Sequence, residues 1–199
     1  RYLPHDCVDR LPVLQYPAEN TAEFMSDIKE VIRCHNHPCM NTKFLKSADN
    51  SVEDVFKDFC KENGFNNIDW KKIKDAIHDV DSIVLKLKYK NGRPRPIHYL
   101  QDVDDSLEVK YKKSPSFPSG HTAIAYFICD IVSKAIPELK QDLQTLASLI
   151  GQSRIENAVH YPTDIEYGRL IGETLADIFN NEKSSNIDKQ LSKKHYKKF

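Results

Sequence analysis

Apolar residues recur every three or four positions along most of the chain, which is the spacing of one face of a helix. The most regular stripe runs from Trp70 to Leu87, follows Asp69 as a helix N-cap and ends at Asn91-Gly92. No segment alternates between apolar and polar residues as a half-buried strand would. The pattern therefore predicts an all-α chain that folds as a single helical bundle. Helices are predicted from near Asn20, from Ser51 to Gly64, from Asp69 to Asn91, and after Gly120, Pro137 and Pro162.

The chain has no internal repeat and no linker that would divide it. We expect one domain over residues 1–180, followed by a polar, lysine-rich tail over residues 181–199 that frays. Residues 1–17 contain three prolines and are predicted to be extended. Residues 93–118 are predicted to form a loop with one helical turn, because proline and charge interrupt any helical period there.

Composition narrows the class of protein. Hydrophobic residues make up 40% of the 199 positions and charged residues 29%, as in globular proteins that dissolve in water. The 29 basic residues balance the 29 acidic ones, so the net charge gives no sign of a nucleic-acid partner. The most apolar run, from Ala123 to Val132, falls far short of the roughly 20 residues that a membrane-spanning helix needs. We expect a soluble protein without a membrane span.

The five cysteines are scattered, and an odd number cannot pair completely. This favours a reducing compartment, and hence a cytoplasmic rather than a periplasmic location. The segment from Cys34 to Cys39 also contains His35 and His37, which suggests zinc. It lacks a second ligand pair at finger spacing, and Pro38 is typical of a turn, so an ordinary loop is the favoured interpretation and no metal site is predicted.

Three short blocks combine residue types that suit one task, the binding of an oxyanion. Arginine offers a planar fork to a phosphate, and the start of a helix offers free backbone N–H groups and a favourable dipole. Glycine at such a helix start lets the anion approach the backbone. The blocks are Lys86 with Arg93-Pro94, then Pro118-Ser119-Gly120-His121, then Ser153-Arg154 with His160 and Asp164.

Two histidines in these blocks have separable roles. Pro162 suits the first turn of a helix, which places Asp164 in that turn, four residues after His160. The carboxylate can then accept a hydrogen bond from one ring nitrogen of His160 and leave the other nitrogen to attack. His121, at its own helix start, can protonate the departing alkoxide.

These blocks and their spacing resemble the signature of the type 2 phosphatidic acid phosphatase (PAP2) superfamily, which includes bacterial class A acid phosphatases and vanadium haloperoxidases. The signature has lysine, six intervening residues and Arg-Pro, then Pro-Ser-Gly-His, then Ser-Arg with histidine and aspartate beyond it. Lys86, Arg93, the Pro-Ser-Gly-His block, Arg154 and the residues after it match each fixed position. The resemblance covers roughly Asp79 to Ala176.

The resemblance implies an all-α bundle and a metal-independent phosphomonoesterase that acts on a small, soluble phosphate ester through a phosphohistidine. It implies no cofactor, and vanadate as an inhibitor because vanadate adopts the geometry of the transferring phosphoryl group. His160 would be the nucleophile, Asp164 its orienting carboxylate and His121 the general acid and then base. The phosphate would be bound by Lys86, Arg93, Ser119, Gly120 and Arg154.

Alternatives remain open at this point. The same residues can hold vanadate in a haloperoxidase, although haloperoxidases of this superfamily are much longer chains. A phosphatase can act on a lipid headgroup, and a module that has lost catalysis can still bind phosphate, although no histidine or aspartate of the signature is missing here. Residues 97–113 are predicted to rim the pocket, with Asp102, Asp104 and Asp105 repelling additional negative charge.

Overall fold

The structure is a computed structural model that describes residues 2–4, 6–13, 15–100 and 113–195, with side chains as far as residue 181. Within these residues the regular structure is helical and contains no strand, which confirms the all-α prediction. A short 3-10 turn, Cys7–Arg10, precedes the helices, and a second, Pro137–Leu139, precedes α7. The α-helices are α1 (Ala22–Asn36), α2 (Thr42–Asn50), α3 (Val52–Glu62), α4 (Trp70–Asn91), α5 (Ile97–Leu100), α6 (Gly120–Ala135), α7 (Lys140–Glu156) and α8 (Pro162–His195).

Helix α4 begins and ends where its sequence signals predict. The side chain of Asp69 accepts a hydrogen bond from the backbone N–H of Lys72 at 3.0 Å and so caps the first turn. Gly92 ends the helix in the left-handed region at a φ of 69°, which glycine adopts at little cost. The buried stripe of α4 continues as far as Lys88, so the last buried turn carries a charge.

Helix α6 forms the centre of the bundle, and α4, α7 and α8 pack around it. Two glycines of α8 allow the closest of these approaches. A Cβ atom at Gly168 would lie 2.6 Å from the carbonyl oxygen of Ser119, and one at Gly172 would lie 2.3 Å from that of Ala123. Because no side chain fits at either position, the start of α8 lies directly against the start of α6.

The structure differs from the sequence predictions in two elements. Helix α2 was not predicted, although Asn41 caps it by accepting the N–H of Phe44 at 2.8 Å and Ala48 is buried beneath it. The tail is predicted to fray over residues 181–199, but the backbone of α8 continues to His195. The sequence from Asn180 to His195 contains no glycine or proline that would end the helix. No helix in the described ranges is long and apolar enough to cross a membrane.

Candidate active site

A cavity of about 560 Å³ lies beside the first turn of α6. Part of its lining is apolar and comes from α3, α4 and α6, with Val52, Ile77 and Ile124 among its side chains. The remainder is rich in charged and titratable side chains, and four of these, Lys88, Arg95, Arg154 and His160, are buried, which is unusual for such residues. The basic side chains of this part are Lys88, Arg95, Lys113, His121, Arg154 and His160.

His160 lies in the connection between α7 and α8, and its side chain is only 3% exposed. Nδ1 of the ring lies 3.1 Å from Oδ2 of Asp164, which stands in the first turn of α8 just after Pro162. A carboxylate is only an acceptor, so this contact assigns the ring proton to Nδ1 and leaves a lone pair on Nε2. On the other side of the ring, Nε2 lies 3.4 Å from Nη1 of Arg95.

The surroundings of His160 keep the imidazole neutral. Burial is the largest cause, followed by the positive charges of Lys88 and Arg95, and together these hold the pKa of His160 well below its ordinary value. A neutral imidazole retains the lone pair that a nucleophile needs. These surroundings therefore favour the neutral form of the ring.

Asp164 connects His160 to the bundle. It is fully buried, and Oδ2 accepts the backbone N–H of Tyr161 at 3.1 Å in addition to His160. Its other oxygen, Oδ1, accepts Nη1 of Arg93 at 2.7 Å. Its backbone carbonyl accepts the N–H of Ser119 at 2.9 Å, which ties the first turn of α8 to the cap of α6. Burial raises the pKa of Asp164, and the charge of Arg93 acts in the opposite direction.

Lys88 and Arg95 are held at the cavity wall by backbone carbonyls. Nζ of Lys88 donates to the carbonyls of Pro115 and Ser116 at 2.9 and 3.0 Å. Nη1 of Arg95 donates to the carbonyl of Val159 at 2.6 Å. Burial, assisted by the charge of Arg95, lowers the pKa of Lys88 to about 7, and burial lowers the pKa of Arg95 to about 10. Arg95 therefore stays charged at neutral pH, whereas Lys88 is divided between two forms.

Arg154, near the end of α7, is the third buried cation of the cavity, with 1% of its side chain exposed. Its Nη2 pairs with Oδ1 of Asp49 at 2.9 Å. Its Nε and Nη1 atoms are buried and have no hydrogen-bond partner among the described residues. Buried donors of this kind are costly unless an acceptor satisfies them. Arg154 also lines the cavity, which places its guanidinium group beside any bound anion.

The first turn of α6 brings Gly120 and His121 to the cavity, but not the side chain of Ser119. Ser119 caps the helix, and its Oγ lies 2.9 Å from Oγ1 of Thr122. Nε2 of His121 lies 3.3 Å from the backbone carbonyl of Asp49 at the end of α2. Asp49 thus contacts both a phosphate-binding candidate, Arg154, and the candidate general acid.

The structure does not bring Lys86 and Arg93 to the cavity. Lys86 is exposed on the outer face of α4. Arg93 is 2% exposed and lies behind Asp164, where it pairs with Asp164 and with Asp27 of α1. Their places at the cavity wall are taken by Lys88 and Arg95, which have the same spacing two residues further along. The expectation that Lys86 and Arg93 lie at the site is therefore wrong: Lys88 and Arg95 line the cavity instead. For the lysines the reason is helical phase, since only Lys88 continues the buried stripe of α4.

The segment from Cys34 to Cys39 shows contacts of an ordinary connection. Cys34 is buried, and its Sγ accepts Nε2 of Gln152 at 3.3 Å, whereas Cys39 is exposed. Nδ1 of His35 lies 2.9 Å from the carbonyl oxygen of Glu156. Among the described residues, no three His, Cys, Asp or Glu side chains are grouped so that they could hold a metal ion. Of the predicted rim, Lys113 lines the cavity, and residues 101–112, including Asp102, Asp104 and Asp105, lie outside the described residues.

Comparison with curated proteins gives similarity to acid phosphatases. The non-specific acid phosphatase of Salmonella typhimurium is 38% identical over 61 residues, which cover 31% of this chain and 24% of the relative. The non-specific acid phosphatase of Providencia stuartii is 29% identical over 122 residues, which cover 61% of this chain and 48% of the relative. The chain therefore spans between about a quarter and about half of the length of these relatives.

Among solved structures, the first bacterial vanadium-dependent iodoperoxidase shares this fold. Its TM-score is 0.66 at 17% sequence identity, and the match covers 86% of this chain and 51% of that one. A family model described as the PAP2 superfamily matches residues 77–181, which are more than half of the chain and include the cavity cations Lys88, Arg95 and Arg154 as well as His121, His160 and Asp164. The family resemblance of the three sequence blocks is thereby confirmed, and the chain belongs to the PAP2 superfamily.

Proposed function

We propose that this protein is a phosphomonoesterase that transfers the phosphoryl group of its substrate to His160 and then to water, without a metal ion. One observation carries the proposal: His160, whose Nδ1 contacts Asp164, lines a cavity together with three buried basic side chains, Lys88, Arg95 and Arg154. A phosphate ester needs such charge around its oxygens and a nucleophile in line with its phosphorus. The similarity to non-specific acid phosphatases supports the same reaction class.

In the first step, Lys88, Arg95 and Arg154 bind the phosphoryl oxygens, with backbone N–H groups at the start of α6 as further donors. Nε2 of His160 forms a bond to phosphorus while the bond from phosphorus to the leaving oxygen breaks. His121 donates a proton to that oxygen, which leaves as an alcohol. Asp164 stabilises the positive charge that the imidazole ring acquires, because its Oδ2 accepts the Nδ1 proton.

In the second step, His121 accepts a proton from water, and the water oxygen attacks the phosphorus of phosphohistidine. The bond between phosphorus and Nε2 breaks, and its electron pair returns to the ring. Inorganic phosphate leaves, and both histidines regain their starting protonation. Neutralisation of the phosphoryl group by three cations is the task that metal ions perform in other phosphatases, which is why we propose a metal-independent reaction.

The cavity walls favour a leaving group with an apolar or aromatic body. Val52, Ile77 and Ile124 line the cavity, and the partly exposed Leu85 and Tyr89 also contribute to its lining. We propose a small, soluble ester as the substrate. A lipid phosphate offers the same combination of an apolar body and a phosphate, so a panel of a sugar phosphate, an aryl phosphate and a short-chain phosphatidic acid distinguishes the alternatives.

The test is phosphate release from p-nitrophenyl phosphate in excess EDTA. We expect turnover that chelation does not reduce, and we expect Arg154→Met to lower kcat/KM by about 10- to 100-fold, since hydrogen bonds to a charged group contribute about 1.5–3 kcal/mol. Arg169→Met is the matched control, because Arg169 is an exposed arginine of α8 that pairs with Glu173. Turnover that requires added magnesium or zinc would contradict the metal-independent reaction, and binding of phosphate without turnover would indicate a binding module.

A further inference from the structure

A buried chain of ionic contacts extends from Asp164 to the first helix of the protein. Nη1 of Arg93 donates to Oδ1 of Asp164 at 2.7 Å, and Nη2 donates to Oδ2 of Asp27 at 2.8 Å. Asp27 is 4% exposed and lies on the inner face of α1, between the apolar residues Phe24 and Ile28. An acidic residue that is this deeply buried in an apolar stripe is rare unless it has a specific partner.

Thr163 closes the contacts around Asp27 and Arg93. Its Oγ1 donates to Oδ2 of Asp27 at 2.5 Å and accepts Nη1 of Arg93 at 2.7 Å. Its backbone N–H donates to Oδ1 of Asp27 at 3.3 Å. The first turn of α8, which carries Asp164, is thereby attached to α1 by side chains and backbone together.

Two aromatic rings restrict Arg93 further. The guanidinium carbon lies 3.8 Å from the ring centroid of Tyr161 and 5.1 Å from that of Tyr16. The hydroxyl of Tyr161 donates to the carbonyl oxygen of Pro94 at 3.1 Å, so the stacking ring is itself fixed to the loop that carries Arg93. A planar cation stacked and paired in this way has little freedom to turn.

We infer that Asp27 and Arg93 are positioning residues for catalysis, which hold Asp164 so that its Oδ2 faces Nδ1 of His160. This inference rests on the proposed function, because it assigns the residues an effect on the nucleophile. Arg93 occupies Oδ1 of Asp164, which leaves Oδ2 for the N–H groups of Tyr161 and His160. Asp27 in turn fixes Arg93, and Asp27 lies outside residues 77–181, which the family model matches.

Asp27→Asn tests the inference, because the asparagine side chain has the shape of the aspartate side chain. Its NH2 group cannot accept a hydrogen bond, so at least one of the bonds that Arg93 and Thr163 donate to Asp27 is lost. We expect kcat to fall about 10- to 100-fold, as is typical when the partner of a catalytic ligand is removed, and KM to stay unchanged. Arg93→Lys should give the same pattern, since a lysine cannot reach Asp27 and Asp164 together. The matched control is Glu30→Gln, which removes a partly exposed carboxylate of the same helix that pairs with Arg33.

A second measurement separates positioning from mere stability and does not depend on turnover. In the 15N NMR spectrum of the free protein, we expect His160 to be a single tautomer protonated at Nδ1, and a mixture of tautomers in Asp27→Asn. If Asp27→Asn does not fold, Thr163→Val replaces it, because this change removes only the hydroxyl that contacts both Asp27 and Arg93. The same kinetic and NMR measurements are then made on Thr163→Val.

The possible outcomes distinguish the inference from the proposed function. If the His160 tautomer changes in Asp27→Asn but the wild-type protein has no phosphatase activity, the positioning role is supported and the proposed function is contradicted. Variants that melt earlier but keep kcat and the single tautomer would overturn the positioning role, since Asp27 would then only stabilise the fold. A raised KM with unchanged kcat would also overturn it, because Arg93 would then bind substrate.

Discussion

Nη1 of Arg95 lies 3.4 Å from Nε2 of His160, on the side of the imidazole ring from which it would attack phosphorus. His160 is paired with Asp164 through its other ring nitrogen. Arg93, two residues before Arg95, contacts the Asp164 side of this pair. The Arg-Pro-Arg-Pro sequence thus supplies one arginine to each side of the imidazole–carboxylate pair. The two arginines are chemically identical, but of the two only Arg95 lines the cavity, whereas Arg93 contacts Asp164 behind it.

The first prediction concerns the lysine that binds phosphate. Lys88→Met removes a buried charge from the cavity and should raise KM by about 10- to 100-fold, the effect of a lost charge-assisted hydrogen bond. Lys86→Met is the matched control on the same helix, and its KM should equal that of the wild type because Lys86 is exposed. Steady-state kinetics with p-nitrophenyl phosphate measure both. A raised KM in Lys86→Met and an ordinary KM in Lys88→Met would restore the original assignment.

The choice between Lys86 and Lys88 shows which parts of the site the sequence can specify. Lys86 with Arg93-Pro94 and Lys88 with Arg95-Pro96 have the same spacing, so the motif alone cannot choose between them. The helical period distinguishes the two lysines. Lys88 follows the buried Val84 by four residues and so lies on the buried face of α4, whereas Lys86 follows the exposed Ser82 by four residues. The blocks that contain His121, Arg154 and His160 each occur only once in the chain, and the structure brings all three side chains to the cavity, with Asp164 in contact with His160.

The contributions of the first two helices could not be predicted. Asp27 and Asp49 reach the site from α1 and α2, at sequence separations of 66 and 105 residues from Arg93 and Arg154. Such contacts depend on how the helices pack, and no local pattern specifies the packing of two distant helices. The one usable signal was Asp27 itself, a charged residue at a buried position of the apolar stripe of α1.

The second prediction is a pH dependence of anion binding. Lys88 is charged below its pKa of about 7 and neutral above it, so binding of an anion should weaken as the pH rises through 7, by about tenfold per pH unit. His160 stays neutral on the acid side, because its pKa lies well below the ordinary value, so activity should persist there. Inhibition constants for dilute tungstate, which is then a monomeric dianion, measure the effect across the neutral range and on both sides of the pKa of Lys88.

Lys88→Arg is the control for this pH dependence, since an arginine remains charged throughout the range. In that variant, the break near pH 7 should disappear. Tungstate inhibition of the wild type that is independent of pH would contradict the role of Lys88 as a titrating phosphate ligand.

The third prediction compares two glycines near the start of α6. A Cβ atom at Gly168 would meet the backbone oxygen of Ser119 at 2.6 Å, so Gly168→Ala should push α8 away from α6 and cost about 1–3 kcal/mol of folding free energy. At Gly120, the nearest atoms are Cγ1 of Val84 at 3.6 Å and Cε of Lys88 at 3.9 Å, which is ordinary contact. Gly120→Ala should therefore keep its melting temperature but raise KM, because the methyl group lies beside Lys88.

Thermal unfolding and steady-state kinetics of the two glycine variants check this comparison. The backbone N–H of Ser119 donates a hydrogen bond to the backbone carbonyl of Asp164. A displacement of Ser119 should therefore move Asp164, so we also expect Gly168→Ala to lower kcat. Equal melting temperatures for both variants would contradict the close approach of α8 to α6.

The fourth prediction concerns vanadate. A vanadate ion presents oxygens to Lys88, Arg95 and Arg154 and its metal centre to Nε2 of His160, so we expect competitive inhibition of phosphate release. If the protein is a phosphatase, preincubation with vanadate should produce little oxidation of bromide or iodide by peroxide. Robust halide oxidation at low vanadate would instead favour a haloperoxidase.

The central claim, that His160 carries the phosphoryl group, is tested most directly by a rapid acid-free quench with 32P-labelled substrate and mapping of the labelled residue. His121→Ala is the variant of choice, because an activated ester such as p-nitrophenyl phosphate needs little help from a general acid, whereas dephosphorylation still needs the base. The account predicts that this variant accumulates an acid-labile, base-stable phosphoprotein with the label on His160, and that His160→Ala carries no label. Label on His121, on a serine, or on no residue at all would contradict the account.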